Sequence, residues 1–121
     1  MSDADENLHA RLFAKAEAGD VEAQYELGWR HALGNGFELD DEVAVQWLRR
    51  AAGNGHALAQ NNLGARHVAG DGVPRDLVQA WRWFHLATEQ GDRKAGKNRD
   101  SIASEMTPEQ IAEARRLAGV S

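Results

Sequence analysis

The sequence predicts an all-α repeat fold in which antiparallel helix pairs stack in tandem. Three observations point to it. The 36 residues from Ala18 to Gly53 align without a gap on Asn54–Glu89, and thirteen positions are identical. Each copy holds two stretches of helical apolar spacing separated by a Gly-x-Gly turn. The flanking segments each carry one further helical pattern with no partner copy, as the closing elements of an array would.

The first element is a helix over residues 5–18. Leu8, Leu12 and Ala16 fall at helical spacing, in phase with the second helix of a unit one period earlier. The first unit, residues 19–54, opens on Asp20, a good N-cap. Its first helix spans roughly Val21–Leu33, with Ala23, Leu27 and His31 at i, i+4, i+8 and Gln24 and Gly28 beside them. Gly34-Asn35-Gly36 ends it, since glycine accepts the left-handed conformation that closes helices. Asp40 caps the second helix, roughly Asp41–Ala52, whose apolar face is Ala44, Trp47, Leu48 and Ala51.

The second unit, residues 55–90, repeats this plan. His56 stands at the first cap, a poorer choice than aspartate. Ala59, Gln60, Leu63, Gly64 and His67 form the stripe, Gly70-Asp71-Gly72 the turn, and Pro74 favours an extended approach to the next helix. Asp76 caps Leu77–Glu89, with Gln79 in the spacing of a capping box, and Ala80, Trp83, Phe84 and Ala87 make its apolar face. Glycine inside a helix costs about 1 kcal/mol relative to alanine, so its return at Gly28 and Gly64 implies a packing need for the missing side chain.

A third, partial unit over 91–105 starts on schedule with Gly91, Asp92 and Ala95, but Arg99 and Asp100 take the Leu-Gly positions. The last helix, 107–118, opens on Thr107-Pro108-Glu109-Gln110, with Thr as N-cap, Pro at the first helical position and Gln at the third. Ile111, Ala114 and Leu117 or Ala118 give its apolar side. The whole is one domain, residues 1–121, of about seven helices.

The order Ala-x-x-x-Leu-Gly, Gly-x-Gly, Asp-x-x-x-Ala-x-x-Trp-x-x-x-Ala, stepped by 36 residues, resembles the Sel-one-like repeat, a cousin of the tetratricopeptide repeat. The resemblance covers Ala18–Glu89 well and Gln90–Asp100 weakly; the final helix is also similar to tails that close such proteins. It implies a right-handed α-solenoid of antiparallel helix pairs with N- and C-terminal capping helices, the first helix of each pair lining a concave face. It further implies an adaptor or scaffold role, common in bacterial signalling and host contact, with no catalytic residues. This chain departs from the pattern in placing His31 and His67 where the family has tyrosine.

Composition narrows the function. A net charge of -5 argues against a basic nucleic-acid surface. No apolar run reaches the length of a membrane span, and the acidic, polar start lacks the features of a secretory leader, so a cytoplasmic protein is expected. With no cysteine, disulfides and Cys-based zinc sites are excluded. No nucleophile motif, phosphate loop or dinucleotide fingerprint occurs; neither an enzyme nor a cofactor is expected.

The expected function is binding of a protein or peptide through the concave face, by a monomer or weak homodimer. At 100° per residue, Glu22, Tyr25, Glu26, Trp29 and Leu33 lie on the side of the first helix away from its stripe. Leu58, Asn61, Asn62, Ala65 and Ala69 follow in the second unit, with Arg66 beside them; Lys94, Lys97, Asn98 and Ser101 follow in the third. Tyr25 and Trp29 are either exposed binding anchors or covered by the N-terminal helix. Trp81 either covers an edge of the core or stands partly exposed. The alternatives to a binding module are a self-associating structural subunit and a metal or small-ligand site on His31 and His67. The latter lacks the third and fourth ligands such a site needs, and the repeat explains the pair as residues filling the aromatic position and hydrogen-bonding at one end. His85 and Glu89, at i, i+4, are likewise two ligands without a third.

Overall fold

The computed structural model describes residues 3–34 and 38–120, the side chains of 3–6 excepted. Asn35 and Gly36 of the first turn lie outside the described residues. Among those described there are seven helices and no strand: α1 (Asp3–Glu17), α2 (Val21–Leu33), α3 (Asp41–Gly53), α4 (Ala57–Ala69), α5 (Leu77–Glu89), α6 (Arg93–Ala103) and α7 (Pro108–Leu117). The pairs α2/α3 and α4/α5 are the two full units, and each helix packs on the next along the chain up to α6.

The caps explain the boundaries. Asp20, Asp40, Asp76 and Asp92 each accept a backbone N–H from the first turn of the following helix. His56, expected to be a poor cap, does the same: its Nδ1 accepts from the Ala59 N–H at 3.2 Å. An imidazole nitrogen without a proton is an acceptor as a carboxylate oxygen is. Gln79 does not complete a capping box: the Asp76 N–H it would have to accept from goes to the His67 carbonyl, and its side-chain oxygen accepts from Arg82 at 3.1 Å instead. The Thr107–Gln110 box is complete, with reciprocal bonds of 2.9 and 3.1 Å. Gly34 and Gly70 close α2 and α4 at φ +67° and +76°.

The glycines inside α2 and α4 are there for close approach. A Cβ on Gly28 would lie 2.8 Å from the Leu48 side chain, and one on Gly64 would lie 2.6 Å from the Phe84 ring. Leu48 and Phe84 are the equivalent residues of α3 and α5, both almost wholly buried. Each hairpin therefore closes by seating one large side chain in a notch left by glycine.

The histidines staple the loops. The His31 ring meets the Glu38 carbonyl at 2.8 Å and the His67 ring the Pro74 carbonyl at 3.4 Å, both through Nδ1, which must carry the proton because a carbonyl only accepts. The backbone oxygens of the same residues accept from the Asp40 and Asp76 N–H groups. One residue thus fixes the descent of the chain into the next helix from both its backbone and its side chain.

A buried polar ladder joins successive units. Gln24 donates to the Ala16 carbonyl at 3.1 Å and accepts from Asn54 at 3.2 Å; Gln60, one period on, donates to the Ala52 carbonyl at 3.1 Å and accepts from Gln90 at 2.8 Å. Both amides are satisfied, as burial requires. At the N-terminal end, α1 rests through Leu8, Leu12 and Ala16 on Ala23, Leu27 and Trp47. Arg11 and Lys15 stand where a full unit has Trp47 and Ala51, and both are exposed, which gives the array a polar end.

The third unit differs. Gly96, Arg99, Asp100 and Ala103 replace the Gln, Leu, Gly and His of the stripe, and only residues 104–107 separate α6 from α7. With the long stapled loop gone, α7 turns back onto α5, where Ile111, Ala114 and Ala118 join the cluster of Trp81, Phe84, Ala95, Ile102 and Met106. Trp81 is thereby buried, at 6% exposure, which settles the alternative left open by the sequence.

Candidate functional site

The three first helices of the units, α2, α4 and α6, present equivalent positions on one side: 22/58/94, 25/61/97, 26/62/98 and 29/65/101. α4 and α6 both pack on the intervening α5 and so run the same way, and the Asn98 side chain donates to Asn61 at 3.2 Å between them. A groove of about 510 Å³ runs across them, lined by Tyr25, Leu58, Asn61, Asn62, Ala65, Ala69, Asn98, Arg66 and Lys94, with Asp71 from the turn after α4. The 100° rule finds the helical members because a straight helix keeps its faces. Asp71 was not anticipated, since turn geometry carries no such periodicity.

Glu26, Trp29, Leu33 and Lys97 do not line this groove. Glu26 pairs with Arg30 at 3.1 Å. Trp29 is half-buried, with the Arg30 guanidinium 4.9 Å from its ring centre. Leu33 is 71% exposed at the end of α2. Glu22 belongs to a neighbouring crevice of about 430 Å³ that it shares with His56 and Leu58.

Tyr25 is half-buried, stacked on the His56 ring at 4.4 Å and packed against the cluster of Leu48, Ala52, Ala59 and Leu63. The residue that covers it comes from the next unit, while α1 lies on the stripe side of α2. Burial and the nearby Glu22 carboxylate raise the Tyr25 pKa, so it stays a neutral hydroxyl. His56 accepts from Ala59 through Nδ1, so its Nε2 carries the proton and donates to Glu22 at 3.0 Å. Arg66 is already engaged with Asn62 at 3.1 Å and with Asp41 at 3.4 Å. Asn62 stands where the first unit has Glu26 and serves its arginine in the same way.

Beside the groove, α4, α5 and α6 enclose a smaller crevice of about 240 Å³, lined by Ala65, Val68, Phe84, Asn98, Ser101 and Ile102. Phe84 reads from sequence as part of an apolar face, and Val68 and Ile102 carry no sequence reading; the signal that could have found them is the drop from Trp29 to Ala65 to Ser101 at one repeat position.

A second polar cluster lies away from the groove. His85 stacks on Trp81 at 4.8 Å, Arg99 donates to its Nδ1 at 3.0 Å, and its Nε2 faces Glu89 at 3.2 Å. Arginine has donors only, so Nδ1 is unprotonated and the imidazole neutral; burial lowers its pKa. Among the described residues no three His, Asp or Glu side chains gather in a geometry that could hold a metal ion.

The family model for the Sel1 repeat matches residues 21–56 and 57–92. The chain belongs to the Sel1 repeat family. Among solved structures this Sel1 repeat chain is similar to a protective antigen present in uropathogenic Escherichia coli strains and displaying an SLR fold, with 34% identity and a TM-score of 0.85. That match covers 88% of this chain and 23% of the antigen, so the chain spans about a quarter of the antigen's length. It is also similar to a Sel1 repeat protein from Oxalobacter formigenes, with 31% identity and a TM-score of 0.72 over 91% of this chain and 86% of that one. No curated protein matches the sequence. The fold is the Sel1 α-solenoid of antiparallel helix pairs, closed by α1 and α7.

Proposed function

We propose that this Sel1 repeat chain is a protein-binding scaffold module that holds a segment of a partner protein in the groove formed by α2, α4 and α6. The observation that carries the reading is the groove itself, about 510 Å³, built from equivalent positions of successive helices. Tyr25, Leu58, Asn61, Asn62, Ala65, Arg66 and Lys94 would make the contacts, with Glu22, Glu26, Trp29, Leu33 and Lys97 at its margins. Asparagine amides offer both donors and acceptors to an extended backbone, and a rigid helical frame holds them at fixed spacing. The reading assigns no catalytic chemistry and no cofactor. It treats residues 19–54, 55–90 and 91–105 as successive units of one domain between the caps 5–18 and 107–118.

Nucleic acid and membrane are not proposed as partners. The net charge is -5, and among the described residues no helix is long and apolar enough to cross a membrane. A cytoplasmic location goes with this reading. The test is a photo-cross-linking amino acid placed at Asn62 or, as a control, at Arg49 on α3. Partner capture from Asn62 alone supports the groove; equal capture from Arg49 overturns it.

A second reading, weak homodimerisation through an array end, is favoured by an apolar crevice of about 480 Å³ on α7, lined by Pro108, Ile111, Ala112, Arg115 and Val120. Light scattering that stays monomeric at every concentration removes it.

A further inference from the structure

The repeat register explains why a crevice lies beside the groove. At one position the first unit carries the indole of Trp29, whereas the next two carry the methyl of Ala65 and the hydroxymethyl of Ser101. With only small side chains at this position on α4 and α6, a crevice stays open above Phe84, Val68 and Ile102, with Asn98 and Ser101 at its rim. Ala65 and Asn98 line both cavities, so the crevice lies directly beside the groove. An apolar floor with a polar rim takes one apolar side chain and leaves the backbone attached to it in the groove.

Charge along the groove is uneven in a second way. On α2, Glu26 is paired with Arg30, while Glu22 bonds the neutral His56 ring and lies in the neighbouring crevice rather than in the groove. On α6, Lys94 and Lys97 are exposed, and neither pairs with a carboxylate among the described residues. Both lie in the N-terminal half of α6. Asp71 follows the C-terminus of α4, and the parallel alignment of these helices sets it at the far end of the groove. A chain of net charge -5 thus keeps a free basic edge at one end of its groove and a carboxylate at the other.

We infer that the groove takes an acidic, extended segment of a partner protein. One apolar side chain of that segment sits over Phe84, and its carboxylates lie on Lys94 and Lys97, away from Asp71. This rests on the reading of the groove as a binding surface and adds the chemistry of the occupant. The charge pairs set direction and steer association more than they fix affinity, and the crevice supplies the anchor.

The experiment selects binders from a displayed library of short random peptides against the full chain. Enriched peptides are then measured by fluorescence anisotropy against Ala65→Trp, which fills the crevice, the double variant Lys94→Glu/Lys97→Glu, and Asn62→Arg, which blocks the groove. Circular dichroism of each variant should match the parent, since all four positions are solvent-facing or half-buried. The expected result is enrichment of peptides with clustered Asp or Glu near one Leu, Ile, Met or Phe. Affinity should fall roughly tenfold or more with Ala65→Trp and roughly tenfold with the charge reversal. Enriched peptides that are neutral or basic, or that ignore both of those variants yet lose binding with Asn62→Arg, overturn this inference and leave the groove standing. No enrichment at all overturns both.

Discussion

The two junctions of this short solenoid are stepped by the same 36 residues, yet they are built differently. Between the first and second units the repeated seam is present: Gln60 of α4 donates to the Ala52 carbonyl at the end of α3, and Ala59 and Leu63 pack with Leu48, Ala51 and Ala52. Between the second and third, the glutamine position is Gly96, packed 3.3 Å (for a notional Cβ) from the Thr88 methyl, and the leucine position is Arg99, turned to His85 and Trp81. The array ends by exchanging a repeated apolar and polar seam for one arginine–histidine–tryptophan contact and a helix that doubles back. Helix pairing tolerates this because α6 still buries Ala95 and Ile102, while α7 supplies Ala114 from a new direction.

The glycine notches give the largest test of that contrast. Gly64→Ala should destabilise by about 2–3 kcal/mol, because the added carbon would lie 2.6 Å from the buried Phe84 ring and force it to shift. Gly28→Ala, against the more adaptable Leu48, should cost somewhat less. Gly96→Ala should be near neutral, since relief of the roughly 1 kcal/mol helix penalty offsets a milder contact with Thr88. Urea unfolding of the three variants checks the order, and equal losses at Gly64 and Gly96 would erase the distinction between the tight hairpin of a full unit and the looser contact of α6.

The glutamine ladder comes next. Gln60→Ala should cost about 1–3 kcal/mol, by leaving the Ala52 carbonyl and the Gln90 amide without this partner. Gln24→Ala should behave alike in thermal melts, since the geometry repeats.

Caps should show a smaller loss. Asp76→Ala and His56→Ala should each cost about 1 kcal/mol. His56→Asn, which restores a side-chain acceptor, should recover the cap while still losing the Tyr25 stack, so a full recovery of stability would show that the stack contributes nothing.

The smallest effect is with pH. Burial lowers the His67 pKa below the ordinary 6.5, partly offset by the Pro74 carbonyl and Asp76, and it lowers that of His85, partly offset by Glu89. Below the ordinary value the unfolded chain then binds protons that the folded chain refuses, so stability is full above it and declines as pH falls toward the folded values. The melting temperature should therefore drop between about pH 7 and about pH 5. His67→Asn and His85→Asn should each flatten that slope, His67 reporting on a regular loop and His85 on the altered junction. A slope unchanged in both variants would place the effect elsewhere.

Local order in the sequence determined a good deal of this molecule. The 36-residue step, the caps at Asp20, Asp40, Asp76, Asp92 and Thr107, the turns at Gly34 and Gly70, and the need for a notch at Gly28 and Gly64 are all properties of neighbouring residues or of a fixed helical phase. Which residues share one side of α2, α4 and α6 was legible for the same reason, but not which of them line the cavity: Glu26, Trp29, Leu33 and Lys97 do not, and Asp71 does. Only the tertiary structure decided that His56 caps α4 while covering Tyr25, that Gln24 and Gln60 form a ladder, that Trp81 is buried under α7, and that Ala65 opens a crevice down to Phe84. Each of these depends on which atoms meet between helices roughly 14–37 positions apart. Such meetings follow from the volumes and directions of several side chains at once, and no single period in the sequence encodes them.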